Sequence, residues 1–280
     1  MNDKLKKKVD FAIKLLQSIP TDEGPIELSY SSGKDSDVIL ELAKMAGIPY
    51  RAIYKATTID PPGTIAHAKE MGAEVIHPKK TFFQLVGEKG FPSRFARFCC
   101  SALKEYKICD RAIQGIRRVE SRKRAENYKE PEGCRVYSAK EKVKVYLPIL
   151  EWTDQDIAEF IKERNIKCHP LYYSGGQFDV TKRLGCIGCP LQSRKKRIQE
   201  FKDNPKMLKA WIRAGQKRFK SEAYQSGDSK YHFKDAFEVM GYQLYCDNID
   251  EFKEKTYTLF GEFDWKEFLQ KEFNIDMGDI

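Results

Sequence analysis

The sequence predicts an α/β fold: a parallel, doubly wound sheet followed by a helical appendage at the C-terminal end. Three observations carry this. Short apolar runs with strand spacing alternate with stretches of helical spacing over the first half of the chain, the pattern left by strands joined through crossover helices. One strand-to-helix junction, Ser29-Tyr30-Ser31-Ser32-Gly33-Lys34-Asp35-Ser36-Asp37, is built from small and hydroxyl-bearing residues. After Pro190 the alternation stops and a basic helical pattern replaces it. The expected organisation is an α/β domain over residues 1–190 and a mostly helical region over 191–280.

The elements follow in order. Residues 1–20 place Val9, Ile13, Leu16 and Ile19 near a 3.6 period, and Pro20 and Gly24-Pro25 end the helix. Ile26-Glu27-Leu28 predicts the first strand, and Val38 to Gly47 a helix with a glycine stop. Tyr50 to Tyr54 reads as the second strand, Ile65 to Met71 as a helix closed by Gly72, and Glu74 to His77 as the third strand. Leu103 to Ala112 suggests a helix and Gln114 to Arg117 a short strand running into a charged loop. Residues 126–142, with Pro131 and Gly133, read as a polar excursion. Val143 to Ile149 alternates like a strand. Thr153 caps a helix to about Glu163, with Asp154 and Asp156 favourably placed in its first turn. Gln192 to Lys220 reads as one long basic helix, and residues 230–280 are aromatic-rich and mixed.

A chain of 280 residues holds one large domain, or one domain and an appendage. Its 41% hydrophobic and 12% aromatic content suits a water-soluble globular protein, and no apolar run reaches the length of a membrane span. The charged start, Met1 to Lys8, has no apolar signal core behind it, so a cytoplasmic location is the expectation. In such a compartment the eight cysteines point to metal or redox use rather than to structural disulfides. The net charge of +9 suits anionic nucleotides or nucleic acid, although surface lysine also serves solubility. Basic clusters stand at Arg117-Arg118, Arg122-Lys123-Arg124 and Arg194-Lys195-Lys196-Arg197.

The junction after the first strand is a candidate anion site. Free N–H groups and the positive end of a helix dipole both face a ligand there. Gly33 lets backbone approach a phosphate and Lys34 adds a point charge. The segment has neither P-loop nor G-x-G-x-x-G spacing. Ser29, Ser31, Ser32, Gly33, Lys34, Asp35 and Ser36 are the candidate binding residues. Ser32 is tolerable if its φ is negative and costly if it is positive.

Cys99-Cys100 and Cys186-Ile187-Gly188-Cys189-Pro190 form a second motif. Four soft thiolates suffice for a 4Fe–4S cluster or a tetrahedral zinc, and an adjacent pair is an awkward bite for one zinc, which favours the cluster. Cys109 and Cys134 are expected to be structural and Cys246 to be a packed thiol. Gly115-Ile116-Arg117-Arg118-Val119-Glu120-Ser121-Arg122 forms a third motif. Its arginines offer planar forks to oxyanions, and Glu120 either orients an arginine or holds Mg²⁺. In Thr57 to Thr64, Asp60 either accepts from a ribose hydroxyl, binds a cation, or simply forms a turn before Pro61.

Taken together these blocks resemble a known family. Ser31 to Ser36 resembles the S-G-G-x-D-S pyrophosphate loop of the adenine nucleotide alpha-hydrolase-like superfamily, with Ser32 where the first glycine usually stands. That group holds the N-type ATP pyrophosphatases and the phosphosulfate (PAPS/APS) reductases. The cysteine layout is similar to the C-C…C-x-x-C signature of APS reductases. Gly115 to Arg124 resembles a G-(I/V)-R-x-x-E-S-x-x-R segment, and Leu147 to Ile157 a P-(I/L)-x-x-W-(S/T)-x-x-(D/E)-(I/V) segment. His169 to Tyr173 and Arg183 to Cys186 follow in the family's order, so the likeness covers residues 26–190. Thr57 to Thr64 looks like the family's aspartate loop, although Pro62-Gly63 departs from the usual proline–glutamate.

The resemblance implies an adenine nucleotide (ATP, APS or PAPS) on the loop, with Asp60, Gly115 and Arg117 near it. It implies Lys34, Arg117, Arg118 and Glu120 acting at the phosphate or sulfate end. It also implies a 4Fe–4S cluster, or alternatively zinc, on Cys99, Cys100, Cys186 and Cys189, and Mg²⁺ with ATP. Reductases of the family carry their nucleophile in an E-C-G-x-H tail, a motif not seen in Phe273 to Ile280. The expected reaction is therefore of the ATP pyrophosphatase or sulfurtransferase type, similar to the cluster-bearing member that acts in DNA phosphorothioation. A sulfonucleotide reductase forming sulfite is one alternative. A non-catalytic nucleotide- or nucleic-acid-binding accessory protein, suggested by the basic stretch Arg194 to Arg218, is another. The expected partners are a sulfur-donor protein or nucleic acid, with no membrane, and the expected state is a homo-oligomer.

Overall fold

The computed structural model describes residues 1–138, 141–221, 233–259, 261–278 and 280. They form two compact units. The first comprises Met1–Ala56, Asp60–Pro78 and Ser101–Leu184; the second comprises Thr57–Ile59, Lys79–Cys100 and Gly185–Ile280. The division thus differs from the expected cut at residue 190. The C-terminal helices pack on one another and also recruit an earlier stretch of chain, Phe82–Lys89, as a further apolar partner.

The first unit carries a six-stranded sheet. Its strands are β1 (Ile26–Tyr30), β2 (Arg51–Lys55), β3 (Glu74–Ile76), β4 (Arg111–Ile113), β5 (Glu132–Ser138) and β6 (Glu141–Tyr146), in the order β3-β2-β1-β4-β6-β5. All neighbours pair in parallel except β5, which runs antiparallel to β6. The helices of this unit include α1 (Asp3–Gln17), α2 (Lys34–Ala46), α3 (Thr64–Glu70), α6 (Arg122–Asn127) and α7 (Asp154–Glu163). Asn2 caps α1 by accepting from the Leu5 N–H at 2.9 Å, and Gly47 ends α2 in the left-handed region. Leu5, Val9, Ala12 and Leu16 of α1 and Val38, Ile39, Leu42 and Ala43 of α2 are buried in one core with Leu28 and Tyr30 of β1. The chain winds outward from β1 to β3 and then returns to β4 on the other side of β1. The crevice between the carboxyl ends of β1 and β4 is where ligands of such sheets bind.

Three elements depart from the sequence expectation. Within Leu103 to Ala112 only Leu103 is helical, at the end of α5 (Phe98–Leu103), whereas Arg111–Ile113 is β4 and Gln114 to Arg117 is the loop after it. Ala112 and Ile113 are fully covered in the middle of the sheet, and a strand buried on both faces shows no alternation to read. The polar stretch 126–142 contains β5, whose exposed residues are those of a one-sided edge strand. The single helix expected from Gln192 to Lys220 is two, α8 (Arg194–Asp203) and α9 (Pro205–Phe219). Pro205 cannot donate to the preceding turn, so it starts a new helix instead of continuing the old one.

The second unit packs α4 (Phe82–Lys89) against α9, with further helices at Ala236–Tyr245, Ile249–Thr256 and Trp265–Glu272. Thr81 and Gln84 form a capping box at the start of α4. Trp211 sits at the centre of an aromatic core with ring centroids 4.4 Å from Phe82, 5.8 Å from Phe201 and 6.2 Å from Phe91. Among the described residues no helix is long and apolar enough to cross a membrane.

Candidate functional site

The loop from Ser31 to Gly33 joins β1 to α2 at the crevice between β1 and β4. It is held by its own hydroxyls. Ser36 Oγ donates to the Gly33 carbonyl at 2.7 Å and accepts from the Ser31 N–H at 3.2 Å. Gly33 is the N-cap of α2 and brings no side chain of its own, so it leaves the helix start open to an anion. Ser32 adopts φ +59°, the costly case, and is fully buried. Its hydroxyl donates to the Thr64 carbonyl at 3.0 Å, a tie that a glycine there would lack and that offsets part of the backbone strain.

A cavity of ≈ 260 Å³ opens on this loop. Ser29, Ser31, Gly33, Lys34, Asp35 and Ser36 line it from one side, Gly115, Glu120 and Arg124 from another, and Tyr172, Arg183 and Leu184 complete it. Gly115 permits a close approach: a Cβ there would stand 3.0 Å from the Asp35 carbonyl oxygen. Lys34 is buried, with its ammonium 3.3 Å from Asp35 Oδ2. Glu120 accepts from Arg124 in a close ion pair and stands 3.4 Å from Arg183. Of the two roles read for Glu120, the geometry therefore displays the orienting one. Burial and the neighbouring Arg183 charge both hold the Arg124 pKa below its ordinary value. Glu120 pairs with both guanidinium groups, one oxygen to each, and the two arginines together bring more positive than negative charge to this side of the cavity.

The structure gathers the predicted loop residues, Gly115 and Glu120, and disperses others. Arg117 does not line the cavity. It is 2% exposed, with Nε 2.6 Å from Asp35 Oδ1, Nη2 donating to Asp154 at 2.7 Å and Nη1 facing the Trp152 carbonyl at 3.4 Å. It braces the first turn of α2 from behind. Arg118 points away as well, with Nε donating to the Tyr128 carbonyl at 2.8 Å and Nη1 paired to Glu151 at 2.5 Å. Asp60 is not among the lining residues.

Four side chains that the sequence does not mark as site residues, Arg124, Tyr172, Arg183 and Leu184, also line the cavity. Arg124 and Arg183 lay inside quoted motifs, so their positive charge was a signal at hand. Tyr172 gave none. Its hydroxyl accepts from the Leu184 N–H at 3.3 Å, its ring lies 5.6 Å from Lys34 Nζ, and burial pushes its pKa up to about 12. Behind the loop, Asp37 is fully buried. It accepts from the Tyr30 hydroxyl at 2.5 Å and lies 3.3 Å from His67 Nε2. Burial and the Asp37 charge raise the pKa of Tyr30 and of Cys168, so these groups stay neutral around one carboxylate.

The four predicted ligand cysteines lie in the second unit. Cys99 and Cys100 stand on α5, and Cys186 and Cys189 on the turn that follows Gly185. A hydrogen bond to Cys100, burial, and the charges of Cys100, Cys186 and Cys189 all raise the Cys99 pKa, which is the effect of four thiols drawn into one locality. No group of three or more His, Cys, Asp or Glu side chains that could hold a metal ion is closed among the described residues. The donor set has the chemistry of a cluster site without its closed spacing. The turn itself is firmly made. The Gly188 N–H donates to Glu200 Oε2 at 2.9 Å, and its carbonyl accepts from Arg197 Nε at 3.1 Å. Gly188 has φ +75°, and a Cβ would stand 2.3 Å from Phe201 Cζ, so only glycine fits between these cysteines. Of the remaining thiols, Cys109 and Cys246 are buried, with pKa values raised by burial, whereas Cys134 is exposed on β5 rather than packed.

The sheet order, the loop at its switch point and the cationic cavity define an α/β nucleotide-site architecture. Residues 25–192, more than half the chain, match the phosphoadenosine phosphosulfate reductase domain, and the chain belongs to that family. Among its relatives is an uncharacterized 37.8 kDa protein in the gpa 5′ region of Escherichia phage 186, 32% identical over 46% of this chain and 40% of that one. Another is sulfate adenylyltransferase subunit 2 of Shewanella frigidimarina, 26% identical over 61% of this chain and 68% of that one. The same subunit of Bacteroides thetaiotaomicron is 28% identical over 54% and 61%. The chain therefore spans less than half of the phage relative and about two thirds of the adenylyltransferase subunits. Solved structures that it resembles include FMN adenylyltransferase of Candida glabrata (16% identity, TM-score 0.46, 66% of this chain and 62% of that one). The phosphate complex of PAPS reductase from Candida auris is another (13%, 0.44, 66% and 96%).

Proposed function

We propose that this protein binds ATP in the β1–β4 crevice and transfers or activates at the α-phosphorus, releasing pyrophosphate. One observation carries the reading: Lys34, Arg124 and Arg183 line one cavity at the open start of α2. The names of the adenylyltransferase relatives point the same way. An acceptor atom attacks the α-phosphorus, the bond to the α–β bridging oxygen breaks, and the electron pair leaves on pyrophosphate. The α2 N–H groups and the three cations stabilise the charge that grows there. Asp35, a carboxylate lining the cavity, would hold Mg²⁺, which neutralises phosphate charge when bound, while Glu120 orients Arg124 and Arg183. Arg117 serves as a positioning residue through Asp35.

We further propose that Cys99, Cys100, Cys186 and Cys189 hold a 4Fe–4S cluster, with zinc as the alternative, as a structural centre or a carrier of activated sulfur. This makes a sulfurtransferase outcome the finer form of the reading. Burial of Cys246 and its raised pKa speak against that thiol as a reductase nucleophile. The test is calorimetric titration with ATP and Mg²⁺, paired with pyrophosphate release with sulfate as first acceptor. Binding and release, both lost in Lys34→Ala, support the proposal. Absence of ATP binding overturns it, and sulfite formation from APS with external thiol would move the chain to the reductase reaction. Iron and sulfide analysis of anaerobically purified protein separates cluster from zinc.

A further inference from the structure

A second cavity, of ≈ 380 Å³, lies in the first unit and shares no lining residue with the nucleotide cavity. One wall is a face of α1. Lys4, Lys7, Lys8 and Phe11 recur there at helical spacing, apart from the Leu5, Val9, Ala12 and Leu16 positions that enter the core. The floor is apolar: Leu147, Pro148, Leu150 and Trp152, with Leu147, Leu150 and Trp152 themselves at most 3% exposed.

Wall and floor are both fixed. Lys8 Nζ donates to the Glu151 carbonyl at 2.9 Å and to Asp156 Oδ2 at 2.5 Å, which ties α1 to the rim. The Leu147 N–H donates to the Pro131 carbonyl at 2.7 Å, and the Arg118 N–H to the Leu150 carbonyl at 3.0 Å. The carboxylate on the rim, Glu151, is neutralised by Arg118. Lys4 and Lys7 are exposed and take part in no ion pair among the described residues. A slot of small-molecule size, apolar along its length and cationic at one edge, is complementary to an anion with an aliphatic tail.

We propose that this groove binds a medium-chain aliphatic carboxylate, its chain on the Leu147–Trp152 floor against Phe11 and its head group at Lys4 and Lys7. The inference is independent of the nucleotide reading. Titration of the full chain with decanoate, followed by calorimetry and by tryptophan fluorescence, tests it. One saturable site is expected, half-filled below about 1 mM. The Lys4→Ala/Lys7→Ala variant, altered only at exposed positions, should bind decanoate at least about tenfold more weakly and decanol unchanged. Phe11→Ser should weaken both. Non-saturable uptake, a double variant that binds decanoate as the parent does, or displacement of decanoate by ATP would overturn the proposal.

Discussion

Ser32 shows how a single residue can depart from a motif and still fit it. Its positive φ would suit glycine, yet its hydroxyl reaches the Thr64 carbonyl from a fully buried position. Ser32→Ala keeps the unfavourable backbone and loses the bond, and should cost about 1–3 kcal/mol in urea unfolding. Ser32→Gly loses the same bond but relieves the backbone, and should cost less. The arginines separate in the same way. Arg117 is buried between the half-buried Asp35 and the exposed Asp154, so Arg117→Ala leaves Asp35 with Lys34 as its remaining cation and should lower stability by about 1–3 kcal/mol. Arg124 is partly exposed beside the cavity. Arg124→Ala should leave the melting temperature nearly unchanged while weakening ATP binding about tenfold or more in the same calorimetric assay.

At the scale of the element, α7 is anchored by a box that the sequence announces. Thr153 caps the helix, and Asp156 returns a bond to the Thr153 N–H at 2.7 Å while pairing with Lys8. Burial alone would raise the Asp156 pKa, but the bonds from Lys8 and Thr153 outweigh it and hold the pKa below the ordinary 3.8. A depressed carboxylate contributes stability above its unfolded pKa and loses it as the pH falls through the folded value. Stability should therefore drop below about pH 4, and Asp156→Asn, measured by urea unfolding across that range, should flatten the drop. The turn between Cys186 and Cys189 is the second element with a defined test. Gly188→Ala must push Phe201 aside, so it should reduce iron bound after anaerobic reconstitution, whereas an unchanged iron content would separate the turn's geometry from any cluster.

At the scale of the whole molecule, binding energy should appear as stability. ATP with Mg²⁺ at a hundredfold excess over Kd should raise unfolding free energy by about 2.7 kcal/mol if only the folded state binds. Thermal unfolding as a function of ATP checks this, and Lys34→Ala should abolish the rise. The fold itself was partly legible. The β1–α2 junction and the α7 cap could be read because caps, glycine stops and short polar turns are local signals. β4 could not, since a strand covered on both faces loses its alternation, and the Asn204-Pro205 break was masked by basic residues on both sides.

The chain's membership in its family, the alternation of strands and helices and the small-residue loop at the start of α2 were determined by sequence alone, because motif order, hydrophobic periodicity and turn chemistry are all written along the chain. The composition of the site was decided only in three dimensions. Arg117 and Arg124 stand in one motif, yet the first turns inward and the second faces the cavity. A buried guanidinium goes where carboxylates can pair it, and Asp35 and Asp154 meet only on folding. Tyr172 and Arg183 join the loop for the same reason: the sheet's return from β3 to β4 makes a crevice that distant segments must close.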